Sequence, residues 1–189
     1  MKSNDDKRQR IIRSAKRLIH KHGYHQTTLA NIAEHSEVSI GNIYYYFKTK
    51  KQIIEAIIIE RTDRFIARTQ QWEKDPDPKN RLFSFLEVPS TTEKTIAKYG
   101  CSVGSLLQEL SKAGEVEPDI ANKTIQVQID WVTEQFRLMG KNNPYDLAFY
   151  FIATIQGGCL LANSMKNPEM LHQLLNRLKK VLNNQEDSV

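Results

Sequence analysis

The chain is short of the residues that staple, cut or anchor proteins. Cysteine occurs only twice, as Cys101 and Cys159, which is too few for a disulfide framework or a cysteine-rich zinc site and reads as reduced thiols. The five histidines (His20, His22, His25, His35 and His172) include no His-Glu-x-x-His pair. His22 and His25 are separated by Gly23, which should end a helix between them. No metal or other cofactor is expected. The first ten residues are charged from the outset and lack the apolar core of a secretory signal, and no later apolar run approaches the roughly 18 residues of a membrane span. A soluble, cytoplasmic protein with no membrane partner is the expectation. Sustained strand alternation and internal repeats are also missing, which leaves an all-α fold.

What is present is charge, and it is unevenly placed. The formal net charge is +5, yet residues 1–51 hold 11 Lys+Arg against 4 Asp+Glu, while the rest holds 16 against 18. A positive patch confined to a quarter of the chain suits a module that neutralises phosphates and releases their condensed counterions; the plain alternative is a solvated basic face.

The apolar spacing resolves into helices. Ile11, Ile12, Ala15, Leu18 and Ile19 form one face of a helix over 6–22, capped by Gly23 with Tyr24 packing back. Thr27 and Thr28 precede a short helix over 29–35, and Ser39 caps another over 40–46, with Ile43, Tyr46 and Phe47 directed inward. Two short helices joined by a tight turn match a helix-turn-helix. A long helix follows over 51–72, its apolar face made by Ile54, Ile57, Ile58, Phe65 and Ile66. Asp75-Pro76-Asp77-Pro78 breaks it. Further helices are expected over 79–99 (bent or interrupted at Pro89), 102–112, 118–139, 145–165 and 168–182, with Pro118 and Pro168 in first turns and a frayed tail over 183–189.

The stretch 11–59 resembles the N-terminal DNA-binding domain of the TetR family. The likeness is densest in Thr27-Thr28-Leu29-x-x-Ile32-Ala33 and Val38-Ser39-x-Gly41-x-Ile43-Tyr44-x-Tyr46-Phe47-x-x-Lys50. It implies a three-helix DNA-binding domain at 1–50, a helical effector-binding and dimerisation domain at 51–189, and a ligand-responsive regulator, a repressor rather than an enzyme, that binds a palindromic operator as a homodimer. The residue chemistry agrees. Gly41 inside a helix costs about 1 kcal/mol against alanine, which close backbone approach to DNA would offset. Asn42 can pair bidentately with adenine, and Ile40 and Gly41 can meet a thymine methyl. The hydroxyls of Tyr44 and Tyr45 can reach phosphates, as can Thr28 and Ser39 at helix N-termini. Lys50 at the start of the next helix adds positive charge. One departure stands out: Glu37 occupies the turn where the family usually has glycine, so either it accepts a positive φ or the turn differs, and its carboxylate faces an anionic partner.

In the second part, 145–165 is apolar around most of its circumference and carries Gly157, Gly158 and Ala162, and 168–182 presents a broad leucine stripe. These last two helices, about 145–182, are expected to form the homodimer contact. Gly100-Cys101-x-x-Gly104-x-Leu106-x-x-Glu109-Leu110 resembles a stretch found in the effector domains of one branch of the family. It implies that Cys101, Leu107 and Gln108 border a cavity with Phe83, Leu86, Trp131, Gln135, Phe151 and Ile155, suited to a largely apolar effector. Two alternatives are open. Cys101 could serve a redox-responsive regulator, and DNA binding could be constitutive. Gly100-x-Ser102-x-Gly104 also fits a hydrolase nucleophile elbow, followed by Asp146 and His172, but that motif needs a strand before Ser102 and a large sheet.

Overall fold

The computed structural model of the chain describes residues 2–114 and 118–184. Among them it contains ten α-helices and no strand, so the all-α reading holds. The helices are α1 (Lys2–His22), α2 (Leu29–Ser36), α3 (Ile40–Tyr46), α4 (Lys50–Trp72), α5 (Pro78–Ser90), α6 (Glu93–Tyr99), α7 (Gly104–Ala113), α8 (Pro118–Leu138), α9 (Pro144–Ser164) and α10 (Pro168–Asn184). Proline opens α5, α8, α9 and α10, where its missing N–H would have had no helical partner anyway.

Two compact units result: Met1–Asp63 with Ser105–Thr124, and Arg64–Gly104 with Ile125–Val189. A cut at residue 50 does not describe this packing, because α4 gives residues 50–63 to unit 1 and α7 and the first turns of α8 join them there.

The core of unit 1 is built on the α1 face Ile11, Ile12, Ala15, Leu18 and Ile19. It is closed by Ile32 of α2, Ile43 and Phe47 of α3 and its cap, and Ile53, Ile54, Ile57 and Ile58 of α4. Gly23 ends α1 at φ 86°, a conformation in which a Cβ is disfavoured, and its N–H returns to the Ile19 carbonyl at 2.8 Å. Tyr24 then turns fully inward, and its N–H donates to Glu109 Oε2 of α7 at 2.6 Å. Lys16 and Glu60 pair at 2.7 Å, and the hydroxyls of Thr62 and Thr124 bond at 3.1 Å inside the unit. These are contacts between segments far apart in sequence, and they give the α1–α4 assembly its fixed shape.

Unit 2 is a layered bundle in which α9 packs on α6 and α10, and α10 on α5 and α6. Leu171 and Leu175 of α10 are fully buried against it, worth roughly 1.5–3 kcal/mol each. At Gly158 the side chains of α10 pack close. A Cβ there would lie 3.1 to 3.3 Å from Leu171 and Leu174, whereas at Gly157 it would meet nothing.

Four expectations change. The helix expected over 79–99 is two helices. The break falls at Thr91 and Thr92 rather than at Pro89, which is buried in the last turn of α5, and the turn is closed by the Thr91 N–H on the Glu87 carbonyl at 3.0 Å and the Thr92 N–H on the Pro89 carbonyl at 3.1 Å. Ile66 is 41% exposed, whereas Ile53, not expected on the buried face of α4, is fully buried. By length and composition α9 is apolar enough to cross a membrane, with a mean hydropathy of 1.3 over its best window. The expectation that no segment would be followed unbroken runs, which the polar residues of α9 interrupt. Seven residues of α9, from Ala148 to Ala162, are nevertheless buried within unit 2. Finally, α10 continues through Asn183 and Asn184, and the remainder of the tail expected over 183–189 lies outside the described residues.

Candidate functional site

The helix-turn-helix is α2, a tight turn and α3. Thr28 caps α2 through a reciprocal box: its hydroxyl accepts the Asn31 N–H at 3.1 Å, and its own N–H donates to Asn31 Oδ1 at 3.0 Å. Thr27, read as a second capping candidate, is buried and bonds the Gly23 carbonyl at 2.8 Å. Glu37 does adopt the left-handed conformation, φ 52°, ψ 39°, and α2 is closed by the Glu37 N–H on the Glu34 carbonyl at 3.2 Å and the Val38 N–H on the Ala33 carbonyl at 3.1 Å. What holds it there is Arg10, whose guanidinium donates to the Ser36 carbonyl at 2.6 Å, the Glu37 carbonyl at 3.3 Å and Glu37 Oε2 at 3.2 Å. The positive φ is thus stabilised, and the carboxylate is partly neutralised from α1.

Ser39 caps α3, accepting the Asn42 N–H at 3.4 Å. With Ile43 fully buried and Phe47 beneath it, the helix has one face fixed in the core and the opposite one in solvent. That outer face carries Ser39, Ile40, Gly41, Asn42, Tyr44 and Tyr45, all exposed, with Tyr45 68% accessible. Thr28 is exposed nearby on the same unit. A Cβ at Gly41 would meet nothing within 4 Å, so nothing within this chain requires glycine there. Lys50 stands apart from the group. Its ammonium donates to the Tyr24 carbonyl at 3.1 Å and lies 3.9 Å from the Tyr24 ring centroid, which pins the loop after α1. Arg10 and Asn31 are contributors that the residue pattern did not single out, and Glu109, expected within an effector-domain stretch, instead accepts the Tyr24 N–H. Only Thr28-x-x-Asn31, a variant of the capping box, carried a sequence signal.

The residues expected around an effector are divided between the two units. Leu107 is half-buried against the core of unit 1 and Gln108 is exposed. The others lie in unit 2, most of them inside packed structure. Leu86, Gln135, Phe151 and Ile155 are buried, with Phe83, Cys101 and Trp131 packed at the edge. Phe65, Trp72, Phe85 and Trp131 form a tetrad in which all six ring pairs stand 5.4 to 6.2 Å apart. The Trp131 indole donates to Glu73 at 2.8 Å, and Gln135 accepts from Arg81 at 3.2 Å. Open space lies elsewhere in the unit. A cavity of about 370 Å³ is lined by Pro78 and Lys79 of α5, Phe136 and Met139, Tyr150, Phe151 and Thr154 of α9, and Leu178 and Leu182 of α10, and it shares only Phe151 with the expected set.

Ser102 follows helix α6, not a strand, so the elbow geometry is not formed. His172 faces Glu93 at 3.2 Å and Asn176 at 2.9 Å, and Asp146 lies exposed in the first turn of α9. The strand and supporting sheet that the motif requires are absent among the described residues.

An all-helical chain with a capped, outward-facing α3 on a buried α1–α4 support is a helix-turn-helix protein. Residues 11–57 match the family model of bacterial regulatory proteins, tetR family. The fatty acid metabolism regulator protein of Bacillus subtilis is 37% identical over 71 residues, a match that covers 38% of this chain and 37% of that protein's own length. An HTH-type transcriptional regulator in the lacX 3' region of Lactococcus lactis is 27% identical over 184 residues, 91% of each chain. The crystal structure of a TetR-family transcriptional regulator from Agrobacterium tumefaciens shares the fold, with a TM-score of 0.80 at 17% identity over 94% of this chain and 97% of that one. Residues 11–57 thus carry the DNA-binding domain of the TetR family, and the chain as a whole shares the fold of that family's solved structures.

Proposed function

We propose that the protein is a transcriptional repressor that reads a palindromic operator as a homodimer and is released by a small, largely apolar ligand. The observation that carries the DNA-reading half is the outer face of α3. Ile40, Asn42, Tyr44 and Tyr45 are presented to solvent while Ile43 and Phe47 fix the helix from behind. Asn42 is assigned to a base edge, Gly41 and Ile40 to close apolar approach, and Thr28, Ser39, Tyr44 and Tyr45 to the backbone. Residues 1–50 carry this function, and 51–189 carry dimerisation and ligand binding.

Dimerisation is assigned to α9 and α10. Phe149, Leu160 and Leu161 are about half exposed, and Phe149, Ala153, Gly157 and Leu160 follow one another at helical spacing. That face is apolar and open at Gly157. A two-fold pair sets two α3 helices on half-sites about 34 Å apart or a multiple of that. The ligand is assigned to the cavity beside Phe151, where apolar walls meet a few polar groups, Thr154, Tyr150 and Lys79. To release DNA it must bind the non-reading arrangement of the dimer more tightly, because equal affinity shifts nothing.

Capture of fragmented genomic DNA on the full-length protein, followed by sequencing, tests the reading. A shared inverted repeat, lost with Asn42→Ala, is the expected result. Retention with no common sequence would overturn it.

A further inference from the structure

Cys101 and Cys159, far apart in sequence, meet in unit 2. Cys159 sits on α9, 2% exposed within the apolar cluster, and Cys101, half-buried in the turn between α6 and α7, packs against the same cluster. The Cys159 thiol donates a hydrogen bond to the Cys101 sulfur. That sulfur also accepts the Gly104 N–H at 3.4 Å, the Val103 N–H and the side-chain amide of Gln156. Four polar groups thus present donors to the sulfur of Cys101.

The contact splits the two thiols. The Cys159 hydrogen bond first, and then the backbone N–H groups, outweigh burial and draw Cys101 well below the ordinary thiol range. The same contact, with burial, pushes Cys159 up, so it keeps its proton. One thiol is acidified on a half-buried residue, and its neighbour is enclosed and protonated. That is the division of labour between an attacking and a resolving thiol.

We propose that Cys101 and Cys159 form an intramolecular disulfide on exposure to a peroxide, a reversible modification that ties the turn before α7 to α9. The Cys101 thiolate attacks one peroxide oxygen and the O–O bond breaks. The departing oxygen takes up a proton and leaves as water, and Cys101 is left as a sulfenic acid. The Cys159 sulfur then attacks the Cys101 sulfur, the S–O bond breaks, and the Cys159 proton leaves with the hydroxide as a second water. Two electrons pass from the thiol pair to the peroxide, and an external dithiol reverses the change. This chemistry stands whether or not the DNA-reading assignment does.

The test treats reduced full-length protein with hydrogen peroxide, quenches with catalase, alkylates in denaturant and weighs the intact chain. The expected product is a single chain lighter by two hydrogen atoms with neither cysteine alkylated, and dithiothreitol restores both thiols. Cys159→Ser should instead accumulate a sulfenic acid at Cys101 that dimedone traps, and Cys101→Ser should leave Cys159 unmodified. The proposal is overturned if both thiols stay alkylatable at a peroxide dose that oxidises the unfolded chain. It is equally overturned if the disulfide joins two chains, or if Cys159 oxidises in the absence of Cys101.

Discussion

The guanidinium of Arg10 reaches across from α1 to the turn before α3, where it bonds the Ser36 carbonyl at 2.6 Å and the carboxylate of Glu37 at 3.2 Å. One side chain thus supports the turn and occupies the residue that departs from the family's glycine. Glu37→Gly removes a left-handed non-glycine residue, a strain of about 1 kcal/mol, and frees one guanidinium face for phosphate. Urea unfolding followed by circular dichroism should show a small gain in stability, and operator retention should tighten. Weaker operator binding by the variant would refute this account of the turn.

Gly41 separates stability from function. With open space where its Cβ would be, Gly41→Ala should stabilise α3 by about 1 kcal/mol through helix propensity. The same methyl stands where DNA must approach. A more stable protein with several-fold weaker operator binding is the expected pair of results, and unchanged binding would remove the close-approach role.

For Lys50 the geometry favours an internal duty. Lys50→Met gives up the bond to the Tyr24 carbonyl and the contact with its ring, a loss of about 1–2 kcal/mol in unfolding experiments. The salt dependence of DNA binding should keep its slope. A slope reduced by about 0.9 would return Lys50 to the phosphate contacts.

The dimer assignment rests on the α9 face, and Leu160 is 58% exposed on it. Leu160→Arg places a charge there without disturbing the core behind. Sedimentation should show monomers with near-native helix content and no operator binding. A variant that remains dimeric would move the interface elsewhere.

Local signals in the sequence carried unit 1 well. The spacing of Ile11 to Ile19, Gly23 as a stop, Thr28 and Ser39 as caps, and Ile43 and Phe47 as the inward face are each decided within a few residues, and each is found in place. Boundaries decided by tertiary packing were less legible. Pro89 reads as a break, yet α5 runs through it and ends at Thr91, where the backbone finds capping partners. The effector group was least legible, because helical spacing says which face is apolar but not which neighbour it meets. Leu107 and Gln108 share a helix with Glu109, whose carboxylate is committed to the Tyr24 N–H, and this draws them into unit 1. Cys101 has only Lys98 as a nearby cation in sequence, and its polarising neighbours, Cys159 and Gln156, come from α9.

The aromatic tetrad has a consequence for spectroscopy. The chain has two tryptophans, and both belong to that cluster, their rings 5.4 Å apart. Indole fluorescence is therefore a private signal of unit 2. It is blind to melting of the α1–α3 head, which circular dichroism registers. Emission and dichroism curves that coincide would show the units unfolding together, and curves that part would date the loss of each separately. A change of emission on adding a small molecule would likewise originate beside Trp72 and Trp131, without any contribution from the DNA-facing helix.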